Sequence, residues 1–141
     1  METTQNIITL NTGDVTYAIN NEFGETIGTI RFNPADVDLV RRCERVAEFF
    51  RDNAFPKNGT TEQFYEYTDK IKEQFDFVLN RKVSDEIFKV CNPLTLLADG
   101  TYFYVSVLDA IMDIVRTETK KRAEESARRV EEAVAELTEN E

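Results

Sequence analysis

The sequence predicts an α+β fold that is predominantly α-helical: an N-terminal β-hairpin or small meander, then a helical bundle with a long C-terminal helix. The first third of the chain alternates between β-prone runs and turn residues. The rest carries apolar residues at helical spacing, and its last helical stretch runs from about residue 101 to about 138. The 141 residues suit one domain. We divide it into a hairpin or meander (1–33), a helical core (34–115) and a charged helical extension (116–141).

The N-terminal region predicts two or three strands. Residues 7–10 (Ile-Ile-Thr-Leu) form a β-prone run that ends at the turn residues 11–14. Residues 15–19 alternate apolar and polar, and residues 26–32 return as the last strand. Gly28 inside that strand predicts a bulge or a close backbone approach. A sheet this small is stable only when it packs on helices.

Asn33-Pro34 predicts the start of the first helix, from about 34 to 52, with Asn33 as N-cap. Asp38 and Arg42 are spaced to pair on its exposed side. Its predicted apolar stripe comprises Val37, Val40, Ala47 and Phe50, with Cys43 and Val46 beside it. This placement makes Cys43 a small buried side chain and not a nucleophile.

Thr60 and Gln63 have the spacing of a capping box and predict a second helix from about 60 to 81. Its apolar face comprises Phe64, Tyr67, Ile71, Phe75, Val78 and Leu79. Ser84 is expected to cap a short helix that carries Ile87, Phe88 and Val90 and ends at Asn92-Pro93.

The last helix changes character along its length. Up to Val115 it is apolar on most sides, which predicts that other elements surround it. From Arg116 onward, 14 of 26 residues are charged. A thin 4-3-4-3 seam runs through this part: Ala123, Ala127, Val130, Val134 and Leu137. The pairs Glu118/Arg122, Glu124/Arg128 and Glu125/Arg129 are spaced to stabilise the helix. Two interpretations stay open: an interaction surface, or a solvated charged tail.

The net charge of −10 limits the kinds of molecule that the protein is expected to bind. It disfavours nucleic acid and anionic membranes, which need a basic face, and it favours a basic protein. An ordinary acidic protein of the cytoplasm explains the same charge. The N-terminus lacks the pattern of a secretory signal, so Cys43 and Cys91 are expected to be free thiols in a reducing compartment.

The composition also restricts catalysis. The chain contains no histidine, which removes the common catalytic dyads and triads and every histidine-containing zinc site. It contains no phosphate-binding glycine loop. Asp109 and Asp113 lie four residues apart and could hold a cation, but a solvated helix face explains them more simply. We therefore expect a non-enzymatic protein without cofactor or metal.

The region between the second helix and the long helix carries a distinctive set of residues. In order along the chain, these are Phe77, Ser84, Ile87, Phe88, Asn92 and Pro93. The set resembles the loop F-G-x-G-x-S-x-x-(I/V)-F-G, followed by N-P, of the tail-assembly chaperones of tailed bacteriophages and prophages of Gram-positive bacteria. The order of strands, helices and charged tail is also similar. The family's glycines are absent, and Asn80, Lys82 and Lys89 occupy that neighbourhood.

The resemblance implies a protein that acts in the cytoplasm of a bacterial host. Such a chaperone coats the helical tape-measure protein, keeps it soluble, helps recruit tail-tube subunits and associates with itself. Candidate partner-binding residues are Phe55, Tyr65, Tyr67, Ile87, Phe88, Pro93, Leu94, Val130, Val134 and Leu137. For the first seven, core packing is the simpler interpretation. Two alternatives remain: a small acidic adaptor or regulator that sequesters a basic protein, and an enzyme that uses carboxylates alone.

Overall fold

A computed structural model describes residues 5–139 and confirms the predicted fold class. A two-stranded hairpin precedes the helices, and the last helix is the longest. In chain order the elements are β1 (Val15–Asn20), β2 (Thr26–Phe32), α1 (Leu39–Asp52), α2 (Thr61–Leu79), α3 (Ser84–Ile87) and α4 (Phe103–Glu139). Residues 1–4 and 140–141, which belong to the predicted first and last regions, lie outside the described residues.

The hairpin pairs β1 antiparallel to β2, with Val15 opposite Phe32. The strand expected at residues 7–10 does not form, so that part of the prediction was wrong. A β-prone run becomes a strand only when its backbone finds a partner edge. Here the turn that follows this run is hydrogen-bonded to other parts of the chain. Asn33 Nδ2 donates to Thr12 O at 2.7 Å, and Arg122 donates to Gly13 O at 2.9 Å.

Gly28 brings the hairpin against the helices. A Cβ at this position would collide with the backbone carbonyl oxygen of Ile87 in α3. The register of the hairpin is irregular beside it, between Ile19 and Asn20. The expected close backbone approach is therefore confirmed.

Asn33-Pro34 begins two successive turns, and the expected helix start was wrong. Asn33 Oδ1 accepts from the Ala35 N–H at 3.0 Å, and Asp36 Oδ1 accepts from the Asp38 N–H at 3.0 Å. These side chains offer the backbone an alternative to helical bonds, which delays α1 to Leu39.

The later start of α1 also shifts its buried face. Leu39 and Val46 are buried and Cys43 and Phe50 are half-buried, whereas Val37, Val40 and Ala47 are exposed. The expected pair between Asp38 and Arg42 was wrong. Arg42 pairs with Asp36 at 2.6 Å, and its Nε donates to Val78 O at 2.7 Å, which ties α1 to α2.

The predicted capping box at Thr60 and Gln63 is confirmed. At the other end of α2, Asn80 adopts the left-handed conformation that commonly ends a helix. The Asp76 carboxylate accepts from the Val83 N–H, the Ser84 N–H and the Ser84 hydroxyl at 2.8–3.1 Å. Ser84 is the first residue of α3 and Val83 precedes the helix, so the expectation that Ser84 caps it was wrong. The helix ends at Ile87, so Phe88 and Val90, which were expected in it, lie beyond it, and Val90 is exposed.

One core joins the hairpin to all four helices. Helix α4 buries one face there, through Phe103, Val107, Ile111 and Val115. The expectation that its apolar half is surrounded was wrong on one side, because Asp109, Ala110 and Asp113 are exposed. The last contacts of α4 with the core are Thr119 with Pro34 O, and Arg122 with Asn33 and Gly13.

Candidate protein-binding surfaces

The projecting half of α4, residues 123–139, carries the predicted seam on an exposed surface. We call Ala123, Ala127, Val130, Val134 and Leu137 the heptad seam. Val130, Val134 and Leu137 expose 60%, 56% and 71% of their surface. Among the described residues, no other element covers the seam. At about 1.5 Å per residue, this half extends about 25 Å past Arg122.

Ion pairs hold the flanks of the seam. Arg128 pairs with Glu125 and with Glu132, the latter at 2.5 Å, and Arg129 reaches Glu125 at 3.3 Å. The expected pair between Glu124 and Arg128 was wrong, because Arg128 has these two other acidic neighbours. Residues 123–139 contain six Glu and two Arg, so the seam lies in an acidic field. The arginines lower the pKa of the Glu125 carboxyl by hydrogen bonding, which keeps it charged.

A second surface lies between the hairpin and α4, and we call it the β1–α4 groove. Its volume is about 640 Å³. One wall is formed by residues 17–22 with Ile27 and Ile30, and the other by residues 97–99 and the side chains of Phe103, Ser106, Val107, Ala110, Ile111 and Ile114. The walls are mostly apolar, while Glu22 and Asp99 make the rim acidic.

Strand β1 has one edge that β2 does not cover, and we infer that this edge borders the groove, because residues 17–20 alternate between the two faces of the strand and yet all four line it. Within residues 5–139, the only strand that pairs with β1 is β2. Residues 17–20 of β1 line the groove directly. An uncovered strand edge presents backbone N–H and C=O groups that can pair with another extended chain. The groove therefore combines an apolar floor with a strand edge ready for pairing.

The first group of predicted binding residues forms an aromatic cluster. The Phe55 ring lies 5.3 Å from the Tyr67 ring and 6.2 Å from the Phe64 ring. Tyr67 is buried, and burial is the main reason why its pKa rises to about 12. Tyr104 adds to this rise from α4. The structure thus places Phe55 and Tyr67 in packing contacts, while Tyr65 stays exposed against Phe64.

The second group belongs to the core. Ile87, Phe88, Pro93 and Leu94 are all buried. The Phe88 ring lies 5.0 Å from Phe75 and 5.8 Å from Phe103, both edge-on. These four residues fix the loop that precedes α4 and offer little surface in this conformation.

The structure places the two carboxylates considered for cation binding, Asp109 and Asp113, on the exposed side of α4. Asp113 pairs with Arg116 at 2.6 Å, and Asp109 is exposed. Residues 5–139 hold no cluster of three or more potential metal ligands. Cys43 and Cys91 are free and half-buried, and burial raises the pKa of the Cys43 thiol, which makes it a weaker nucleophile at neutral pH.

Sequence reasoning missed the groove and the exposure of the segment before β1. Residues 5–10 are all exposed, and Ile7, Ile8 and Leu10 are 76%, 88% and 74% exposed. The available signal was the lack of charge: no residue from 5 to 13 is charged, in a chain with 31% charged residues.

Comparison with known proteins gives no match from which a function could be inferred, so we infer it from the geometry. No protein-family model, curated protein or solved structure matches the chain. Among the described residues, no helix has both the length and the apolarity to cross a bilayer. The two exposed apolar surfaces, the heptad seam and the β1–α4 groove, are therefore the features from which we argue.

Proposed function

We propose that this protein is an assembly chaperone that holds a long helical client protein along the heptad seam of α4. The supporting observation is the exposed seam on a helix whose other half is anchored in the core. By resemblance to the phage tail-assembly chaperones, the client is a tape-measure protein in the cytoplasm of a bacterial host, and the complex helps recruit tail-tube subunits. The role requires no catalysis and no cofactor.

Seam spacing supports a helical client. Positions four and three residues apart place Val130, Val134 and Leu137 on one stripe, which is the pattern that meets a second helix in a coiled coil. Two and a half heptads are too few to hold two helices strongly. Weak, repeated contacts suit a chaperone that must later release its client, because many copies along a long helix add their affinities.

The negative charge around the heptad seam favours a basic client and disfavours pairing of the seams of two copies. Residues 123–139 carry a net charge of −4, from six Glu and two Arg. Two such seams side by side would bring like charges together, which is destabilising. A client stripe flanked by Lys or Arg would instead meet complementary charge. The chain's net charge of −10 would also keep coated clients apart.

The test uses a synthetic helical peptide with Leu at heptad a and d positions and Lys beside them. We expect micromolar binding by calorimetry or fluorescence anisotropy. Val134→Asp, which puts a charge on the seam, should weaken it about tenfold or more. The matched control, Ala135→Asp, adds the same charge one position away and should bind within about twofold of the wild type. Absence of binding, or equal losses in both variants, would refute the proposal.

A second candidate function, an acidic adaptor that sequesters a basic protein, is favoured by the acidic residues alone. In that case charge and not the seam carries the affinity. Binding should then disappear between about 0.15 and 0.5 M salt, because exposed charges are screened. Val134→Asp would leave it unchanged or strengthen it. Binding by the seam would keep most of its affinity in the same titration.

A further inference from the structure

The segment that precedes β1 has the properties of an unpaired strand. We call residues 5–10 the arm. Its own residues are in neither a helix nor a strand, and Ile7, Ile8 and Leu10 are each more than 70% exposed. Its residues are β-prone, and Ile8 and Leu10 fall on one side when the chain is extended. Pairing with another strand would bury the exposed apolar side chains of such a run.

The β1–α4 groove matches the arm in length. From Phe103 to Ile114, its α4 wall measures about 17 Å at 1.5 Å per residue. From residue 5 to residue 10, the extended arm takes five steps and measures about 17 Å at 3.3 to 3.4 Å per residue. The groove is bordered by the uncovered edge of β1, so a strand laid in it would gain backbone hydrogen bonds as well as apolar contacts.

The distribution of charge also favours the arm as the segment that occupies the groove. The groove rim carries Glu22 and Asp99. Within an acidic chain, residues 5–13 are uncharged, so they can approach this rim without repulsion. The heptad seam lacks this advantage because six Glu surround it. Of the two exposed apolar segments, the arm is the better fit to the groove.

We propose that the arm of a second copy of this protein adds to the edge of β1 as a third strand, with Ile8 and Leu10 in the β1–α4 groove. A second copy is favoured over the arm of the same molecule. Thr12 O and Gly13 O accept hydrogen bonds from Asn33 and Arg122, and these bonds hold the chain on a path that leaves the arm exposed.

The contact joins two different surfaces, arm and groove, and is therefore head-to-tail. A dimer joined in this way still has one unused arm on one copy and one unused groove on the other, so association continues into a chain or ring of copies. Neither surface overlaps the heptad seam. Self-association is therefore independent of the client binding proposed above.

The test compares three variants with the same added charge, each without client. Leu10→Asp disables the arm. Ala110→Asp disables the groove at an exposed position on its α4 wall. The control, Val37→Asp, changes an 88% exposed apolar residue outside both surfaces. By sedimentation or light scattering up to about 1 mM, where a contact of roughly 4 kcal/mol is half-formed, wild type and Val37→Asp should associate. The two other variants should remain monomeric, and circular dichroism should show all of them folded.

Mixing the two monomeric variants is the decisive step. The Leu10→Asp chain keeps an intact groove and the Ala110→Asp chain keeps an intact arm, so an equimolar mixture should form dimers and stop there. A mixture that remains monomeric overturns the proposal, as does a wild type that is monomeric at about 1 mM. Loss of association in Val37→Asp would overturn it too, because charge alone would then explain the effect.

Discussion

The two halves of α4 have the same backbone structure but opposite surroundings. In the core half, residues 103–122, four apolar side chains are buried against the hairpin and the other helices. In the projecting half, residues 123–139, every described side chain is exposed. The comparison separates two contributions to helix formation: burial of an apolar face, and the intrinsic preference of the sequence for helix.

Different interactions stabilise the two halves. Burial of Phe103, Val107, Ile111 and Val115 contributes about 1.5–3 kcal/mol for each side chain. The projecting half gains from its Ala, Glu and Arg residues, which are good helix formers, and from ion pairs worth a few tenths of a kcal/mol each. An isolated helix of this length is marginal in water. The projecting half therefore depends on the core half as its nucleus.

The largest difference is expected when a large apolar side chain is truncated in each half. Ile111→Ala should lower the free energy of unfolding by about 2–5 kcal/mol, because the side chain is 1% exposed and its loss leaves a cavity. Leu137→Ala should change it by less than about 0.5 kcal/mol, because Leu137 is exposed. Urea melts measure both. A comparable loss in Leu137→Ala would show that the projecting half is packed in solution.

This contrast also marks what the sequence could predict. Periodicity identified α2, α4 and the heptad seam because their apolar patterns are long. The start of α2 was also predictable, because its capping box is formed by residues close together in the sequence. The start of α1 was wrong because Asn33 and Asp36 form turns with neighbouring backbone groups, which compete with helix at short range. The strand at residues 7–10 was wrong because pairing depends on an edge supplied by tertiary structure. The groove depends on how the hairpin is placed against α4, which no local pattern encodes.

Truncation locates the boundary between the halves. A chain ending at Arg122 should keep the stability of the full chain within about 0.5 kcal/mol. A chain ending at Glu118 loses the bond from Thr119 to Pro34 O and those from Arg122 to Asn33 and Gly13. We expect it to be less stable by about 1–3 kcal/mol. Arg122→Ala in the full chain should reproduce most of this loss in urea melts, and the matched control Arg129→Ala should not. If Arg122→Ala is neutral, the boundary lies earlier.

Alkaline pH should destabilise the core on which the core half of α4 packs, and it should leave the projecting half unaffected. Burial raises the pKa of Tyr67 to about 12, from 10.0 for an exposed tyrosine. Between these values the unfolded chain releases this proton while the folded chain retains it, so stability falls as pH rises. The contribution is fully present below pH 10, and about 1 kcal/mol is lost by pH 11.

Urea melts at pH 9 and pH 11 test this dependence. Tyr67→Phe should show a shallower decline than wild type, and the exposed control Tyr65→Phe should not. A chain ending at Arg122 should decline as the full chain does, because the projecting half contains no tyrosine. A steeper decline in Tyr67→Phe would contradict the assignment.

The smallest effect is expected from the ion pairs of the projecting half. Arg128 lies between Glu125 and Glu132 and is largely solvent-exposed, so each pair gains little over hydration. Arg128→Ala should change the global free energy of unfolding by less than about 0.5 kcal/mol. Its effect should appear locally, as faster amide hydrogen exchange after residue 123, while exchange in the core half stays unchanged.

Arg116→Ala, which removes the exposed pair with Asp113, provides the control in the core half. There the buried face should hold the helix, so its amides should exchange as in wild type. Faster exchange throughout α4 in either variant would mean that the two halves unfold as one unit, and that ion pairs on the surface stabilise the core.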